Sequence, residues 1–192
     1  MKFGREDSEA HLAACAKDGE RGAFDVLVER NRNTVFQFVR RYVGNADDAY
    51  DVLQDCFLAA WDGLSRYDLN RPFLPWLRII ALNKCRDFGR RQTVRRIVLE
   101  TFFRQPSQQE QAQRDQEADA EVQQAKRLDA LDKAIAALPT FYKEPLLLAV
   151  VSGVSHENIA KMLETTPKAV EMRLRRARKK LFEAMQSQTG EG

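Results

Sequence analysis

Between Lys168 and Lys180 seven basic residues stand against Glu171 alone, a net charge of +6 in one short stretch. Val170, Leu174, Ala177 and Leu181 recur through it at helical spacing. They can seat a helix whose other faces carry Lys168, Glu171, Met172, Arg173, Arg175, Arg176, Arg178 and Lys179. That division suits a helix laid in a DNA major groove, with cations on phosphates and a few side chains at base edges. A solvated basic surface helix has the same composition. The stretch ahead completes a motif. Ile159, Ala160 and Leu163 form one face of a short helix that Ser155 can cap, and Glu164-Thr165 makes a turn. Thr166-Pro167 is then a cap followed by proline at the first helical position, so the pair reads as a helix-turn-helix.

A second basic block runs from Arg71 to Arg104, with nine basic residues against Asp87 and Glu100, net +7. Arg78, Asn83, Arg86, Arg90 and Arg91 project from one helix there, and Tyr67, Phe73 and Trp76 lie just ahead. Rings beside a cationic groove can stack unpaired bases while arginines hold the backbone; the same rings can equally be core. From Asp47 to Asp68 the sign reverses, six aspartates against Arg66, net −5. Asp51, Asp55, Leu58 and Asp62 follow i, i+4, i+7, i+11, one continuous stripe with an apolar residue in it. Such a stripe fits a helix docking on a basic helical partner, or a solvated face. Two basic blocks suit a polyanion touched at two places, whereas the acidic block would repel it and requires another partner.

These residues need helices to position them, and helical periodicity dominates. Phe24, Leu27, Val28, Val35, Phe38, Val39 and Tyr42 recur at three- and four-residue steps until Gly44-Asn45 breaks the pattern. Ala49, Val52, Leu53, Cys56, Phe57, Ala60, Trp61 and Leu64 form the inner stripe of the acidic helix. The spacing predicts a loop over 67–72, with Pro72 and Pro75 opposing helix, and then a helix from Trp76 to Arg91 with Leu77, Ile80, Ala81 and Phe88 inward. Ile97 to Phe103 is unexpectedly apolar and either caps the first domain or docks on a partner. Gln105–Gln124, with eight glutamines and five acids, buries too little apolar surface to offset its ordering entropy and reads as a linker, net −4. Leu128, Leu131, Ile135 and Leu138 resume the helical pattern, Pro139 stops it, and Leu146 to Val151 follows, with Pro145 expected to kink or delay that helix. No strand pattern is present.

At 192 residues, 44% hydrophobic and 31% charged, the chain has the ordinary balance of a soluble protein. No apolar run approaches the roughly 18 residues of a membrane span, and the polar, acidic start is not read as a secretory signal. Cys15, Cys56 and Cys85 are scattered and odd in number, with only His11 and His156 beside them, so neither disulfides nor a metal are expected. Cys56 and Cys85 read as small buried hydrophobes. Phosphate-binding loops, nucleophile elbows and metalloprotease motifs are absent from the sequence. The expectation is a binding protein with no catalytic residue, no metal and no cofactor.

The order of these parts resembles the extracytoplasmic-function (ECF) group of bacterial RNA polymerase sigma factors. Asn45-Ala46-Asp47-Asp48-Ala49-Tyr50-Asp51-Val52-Leu53-Gln54-Asp55-Cys56-Phe57 is similar to that family's D-A-E-D-L-V-Q-E-x-F helix. Arg71-Pro72-Phe73-Leu74-Pro75-Trp76-Leu77-Arg78-Ile79-Ile80-Ala81-Leu82-Asn83, with Asp87 and Arg90-Arg91 beyond, is similar to its R-P-F-x-x-W-L-x-x-I-A-x-N segment. Leu138-Pro139 and Ser155 to Leu181 resemble its second domain.

The resemblance implies an all-α fold of two small helical domains: a sigma-two-type bundle over 1–98, a flexible acidic linker over 99–126 and a sigma-four-type helix-turn-helix domain over 127–187. It implies that Asp48, Asp51, Gln54, Asp55, Leu58 and Asp62 bind core polymerase, at the β′ clamp helices, with further contact to the β subunit. Asn70, Arg71, Phe73, Arg78, Asn83, Arg86, Arg90 and Arg91 would read and melt the minus-ten promoter element. Lys168, Glu171, Met172, Arg173, Arg175, Arg176 and Lys179 would read the minus-thirty-five element. The implied role is promoter-specific transcription initiation in the cytoplasm, without membrane insertion, under an anti-sigma factor that in this family is often tethered to the membrane. A stand-alone helix-turn-helix regulator would explain the C-terminal half but leave the acidic stripe and the Phe73/Trp76 segment without purpose.

Four positions depart from the family pattern. Asn158 stands where a glutamate would close a capping box, and Glu164 where the turn commonly has glycine. Glu171 stands where a basic residue is common, and Met172 where a small polar one is. A glutamate in the major groove accepts from cytosine N4, so a cytosine is expected opposite Glu171.

Overall fold

The computed structural model describes residues 3, 4, 6–102 and 120–189. Among these the secondary structure is helical, without strands: α1 (Glu9–Lys17), α2 (Arg21–Val43), α3 (Ala46–Gly63), a 3-10 turn (Leu64–Arg66), α4 (Phe73–Phe102), α5 (Ala120–Ala137), α6 (Thr140–Val150), α7 (His156–Met162) and α8 (Pro167–Thr189). α1 to α4 make the first bundle and α5 to α8 the second.

Local chemistry sets most boundaries. Asn45 caps α3 by accepting from the Asp48 N–H, and Asp47 and Asp48 lie in the first turn, where the helix dipole favours carboxylates. Ser8 caps α1 in the same way through the His11 N–H. The periodicity did not reveal α1: its buried face is only Leu12, Ala13 and Ala16, too few apolar residues to register. α2 ends at Gly44, which has φ 95°, and a Cβ placed there would lie 2.6 Å from that of Ala136, so glycine is required twice over.

The inner stripes pack together, with Val28, Phe57, Trp61, Ile80 and Phe88 only half-buried at their margin and Leu82 joining the α4 face. Leu27, Val35, Phe38 and Val39 of α2, Val52, Leu53, Cys56 and Ala60 of α3, and Phe73, Leu77, Ala81, Leu82 and Cys85 of α4 are buried together. Burial pushes the Cys56 thiol up to about 12 and the Cys85 thiol well above its ordinary value, as inert core cysteines require.

The ends of three helices differ from expectation. α4 begins at Phe73, ahead of Pro75, because a proline in the first turn forfeits no intrahelical hydrogen bond. It also runs past Arg91 to Phe102, through the expected boundary at 98. α6 begins at Thr140, so Pro145 does not delay it. α5 starts at Ala120, within the span read as linker; the linker residues from 103 to 119 lie outside the described residues, as does Phe103 of the apolar stretch.

The two bundles touch. α2 packs against α5 and α6, with Arg40 Nη2 2.8 Å from Asp129 Oδ1 and Arg41 Nε 3.3 Å from Asp132 Oδ1. Lys143, buried, donates to the Tyr42 carbonyl at 3.3 Å and also to the carbonyl of Ala136 near the end of α5.

Candidate nucleic-acid interface

α3 presents its acidic stripe outward. Asp51, Gln54 and Asp62 are exposed, Asp48 and Asp55 half-exposed, and Leu58 sits among them 64% exposed. A leucine that exposed among carboxylates leaves most of its apolar surface in water.

The cationic face begins in the loop before α4. Asp68 accepts from the Asn70 N–H at 3.0 Å and lies 3.3 Å from Arg71 Nε, while the Tyr67 hydroxyl donates to the Arg71 carbonyl. The Asn70 hydrogen bond, helped by Arg71, holds the Asp68 carboxyl below its usual range. Asn70 and Arg71 are thereby presented to solvent on an ordered turn. Arg78 is half-buried with no partner for its Nε, and burial lowers its pKa. Asn83, Arg90 and Arg91 are exposed; Arg90 pairs with Asp87, and Arg91 Nη1 is 4.0 Å from Asp55 Oδ2, where the cationic and acidic faces abut.

Two residues of this set are placed differently from expectation. Phe73 is 1% exposed, packed edge-on against Tyr67 and tilted on Trp76, so its ring is core and unavailable for base stacking. Trp76, half-buried, is the aromatic that remains accessible. Arg86 is not free: its Nε and Nη2 donate to Glu144 Oε1 and Oε2, each at 2.6 Å, across the boundary between the bundles. Glu144 is the residue that sequence reasoning missed. It reads there as an ordinary charged residue, yet it is buried and also accepts from the Tyr42 hydroxyl at 3.3 Å.

In the second bundle the helix-turn-helix stands as expected. Ser155 accepts from the Asn158 N–H at 3.3 Å and Thr166 from the Ala169 N–H at 3.2 Å. Ile159, Ala160, Val170, Leu174 and Ala177 are buried. Lys168, Glu171, Met172, Arg175, Arg176 and Lys179 line the exposed side of α8. Arg173 departs from that row: its guanidinium stacks 3.8 Å over the Phe141 ring and donates to Thr165 Oγ1 at 3.2 Å. It braces the turn against α6 instead of facing outward.

Between the start of α4 and α7 lies a cleft of about 690 Å³, lined by Arg71, Trp76, Arg78, Val154, Asn158 and Lys161 among others. No group of side chains suited to a metal ion occurs among the described residues.

This arrangement has known counterparts. Residues 27–95 match the family model for Sigma-70 region 2, and residues 128–181 match that for Sigma-70, region 4. RNA polymerase sigma factor CnrH of Cupriavidus metallidurans is 36% identical over 178 residues, covering 92% of this chain and 93% of its own. RNA polymerase sigma factor NccH of Alcaligenes xylosoxydans xylosoxydans is 34% identical over 181 residues, covering 92% and 94%. The solved structure of CnrH in complex with the cytosolic domain of CnrY superposes with a TM-score of 0.66 at 32% identity, covering 94% of this chain and 99% of that one. The chain belongs to the RNA polymerase sigma factors, in their ECF group. A sigma factor acts on promoter DNA through core polymerase, which is the reading the relatives favour over a stand-alone regulator. They point to a non-catalytic initiation factor, and no helix among the described residues is long and apolar enough to cross a membrane.

Proposed function

We propose that three separate faces divide the work of initiation. The acidic face of α3, through Asp48, Asp51, Gln54, Asp55, Leu58 and Asp62, binds the clamp helices of the core polymerase β′ subunit. The face formed by Asn70, Arg71, Trp76, Arg78, Asn83, Arg86, Arg90 and Arg91 captures the minus-ten strand. The outer row of α8 reads the minus-thirty-five element. The domains follow those read from the sequence, 1–98 and 127–187 around a linker, with α4 extending the first forward to Phe102 and α5 extending the second backward to Ala120. The protein performs no catalysis: bases captured by the first domain supply the free energy of melting. It works in the cytoplasm under the control of an anti-sigma factor; that CnrH was solved in complex with the cytosolic domain of CnrY supports a protein partner of this kind.

The observation that carries this reading is Leu58, exposed at the centre of a carboxylate stripe on the side of the bundle turned to solvent. Burying one leucine in an interface contributes roughly 1.5–3 kcal/mol. Leu58→Glu should therefore weaken binding to core polymerase at least about tenfold by anisotropy of labelled protein. Unchanged affinity would remove this face from the polymerase interface.

A further inference from the structure

Reading two promoter elements is a matter of reach. The names minus-ten and minus-thirty-five place them about 25 base pairs apart, roughly 85 Å at about 3.4 Å per step. Here α4 meets α6 through Arg86 and Glu144, and α8 packs on α6, so with packed helix axes about 8–10 Å apart the two DNA faces lie much closer together than that. The contour of residues 103–119 reaches about 60 Å, enough for the domains to part. The closed arrangement seen here is therefore a different state from the one that holds a promoter.

What closes it is specific. Glu144 grips Arg86 with both carboxylate oxygens at 2.6 Å, and the side chain of Glu144 is 7% exposed against 34% for Arg86. A carboxylate on the guanidinium fork has the geometry that a DNA phosphate would adopt there. We propose that Glu144 is an intramolecular stand-in for a DNA phosphate, making the second domain a competing ligand of the first domain's single-strand surface. This rests on the minus-ten assignment made above. Arg86 cannot serve Glu144 and a phosphate at once, so binding DNA and closing the domains exclude each other. Arg40–Asp129 and Arg41–Asp132 add to the closure from α2, away from the DNA surface.

The competition is measurable in the full chain. Dyes on the two domains report separation by energy transfer, and a randomised single-stranded DNA of about twelve nucleotides is the probe. Free wild-type protein should show high transfer that falls as DNA saturates. A closed-to-open ratio of 10:1 would depress apparent affinity about tenfold. Glu144→Gln should recover up to that factor and lower transfer without DNA. Arg40→Gln/Arg41→Gln should also raise DNA affinity although it removes two cations; a mere change in net charge would lower it. Far-ultraviolet helicity checks that each variant folds.

Low transfer in the free wild type, or unchanged transfer in the DNA-bound state, would overturn the proposal. So would reduced DNA affinity in the Arg40/Arg41 variant. Failure of every variant, opened or not, to bind single-stranded DNA would instead count against the minus-ten assignment itself.

Discussion

Glu164 is the one non-glycine residue with positive φ among the described residues, at 50°. It follows α7, where the Thr165 N–H reaches back to the Ala160 carbonyl at 2.9 Å, the closure that usually places glycine in the left-handed position. A side chain there costs on the order of 1 kcal/mol, partly offset because glycine would lose more entropy on folding. Glu164→Gly should raise stability by about 0.5–1 kcal/mol, read as a higher thermal midpoint; a lower midpoint would mean that Glu164 makes a contact the backbone does not require. In the proposed function Glu171 is a specificity residue. It stands exposed in the outer row of α8, flanked by Lys168, Met172 and Arg175. Glu171→Ala should relax preference for cytosine at one minus-thirty-five position by roughly 1–3 kcal/mol, about 5- to 150-fold, across a promoter-variant series. An unchanged profile would take Glu171 out of base reading. Arg86 and Arg173 show why residue roles were only partly legible. Both look like free cations on a helical wheel, which shows only a residue's own neighbours. Their partners, Glu144 and Phe141, lie 58 and 32 positions away on another helix.

At the scale of elements the sequence was more informative. The inner stripes of α2 and α3 and the caps Asn45, Ser155 and Thr166 follow from local chemistry, so they could be read directly. Phe73 could not, since an aromatic in a cationic segment suits a base or a core equally and only the packing of Tyr67 and Trp76 around it decides. The contact of α2 with α5 is also hidden, since its ion pairs and the close approach of Gly44 to Ala136 join segments more than 80 residues apart. That contact is pH-sensitive with a definite sign. Lys133 and then Arg40 hold the Asp129 carboxyl below its ordinary value. A depressed acid contributes stability that is complete above the ordinary carboxylate range and is lost as pH falls through the lower folded value. Being partly exposed, the pairs are worth about 1 kcal/mol or less. Wild type should therefore melt above Asp129→Asn at neutral pH, with the gap closing below about pH 4. A gap that persists or widens in acid would contradict the ion-pair account.

Across the whole molecule, charge sign separates three faces, to which the proposed function gives three separate tasks. The acidic face of α3 carries the charge that repels DNA and suits a basic protein surface; the faces of α4 and α8 are cationic and lie on different bundles. A stand-alone DNA binder has no use for the first face, and a polymerase adaptor has no use for the other two. The central claim is that these faces act together on one polymerase. Run-off transcription with sigma-free core polymerase and a genomic promoter pool tests it most directly, comparing wild type with Asp51→Arg/Asp55→Arg. A promoter-specific transcript from wild type and none from the charge-reversed variant is the predicted result. No transcript from wild type, together with tight binding to duplex DNA in the absence of polymerase, would contradict it.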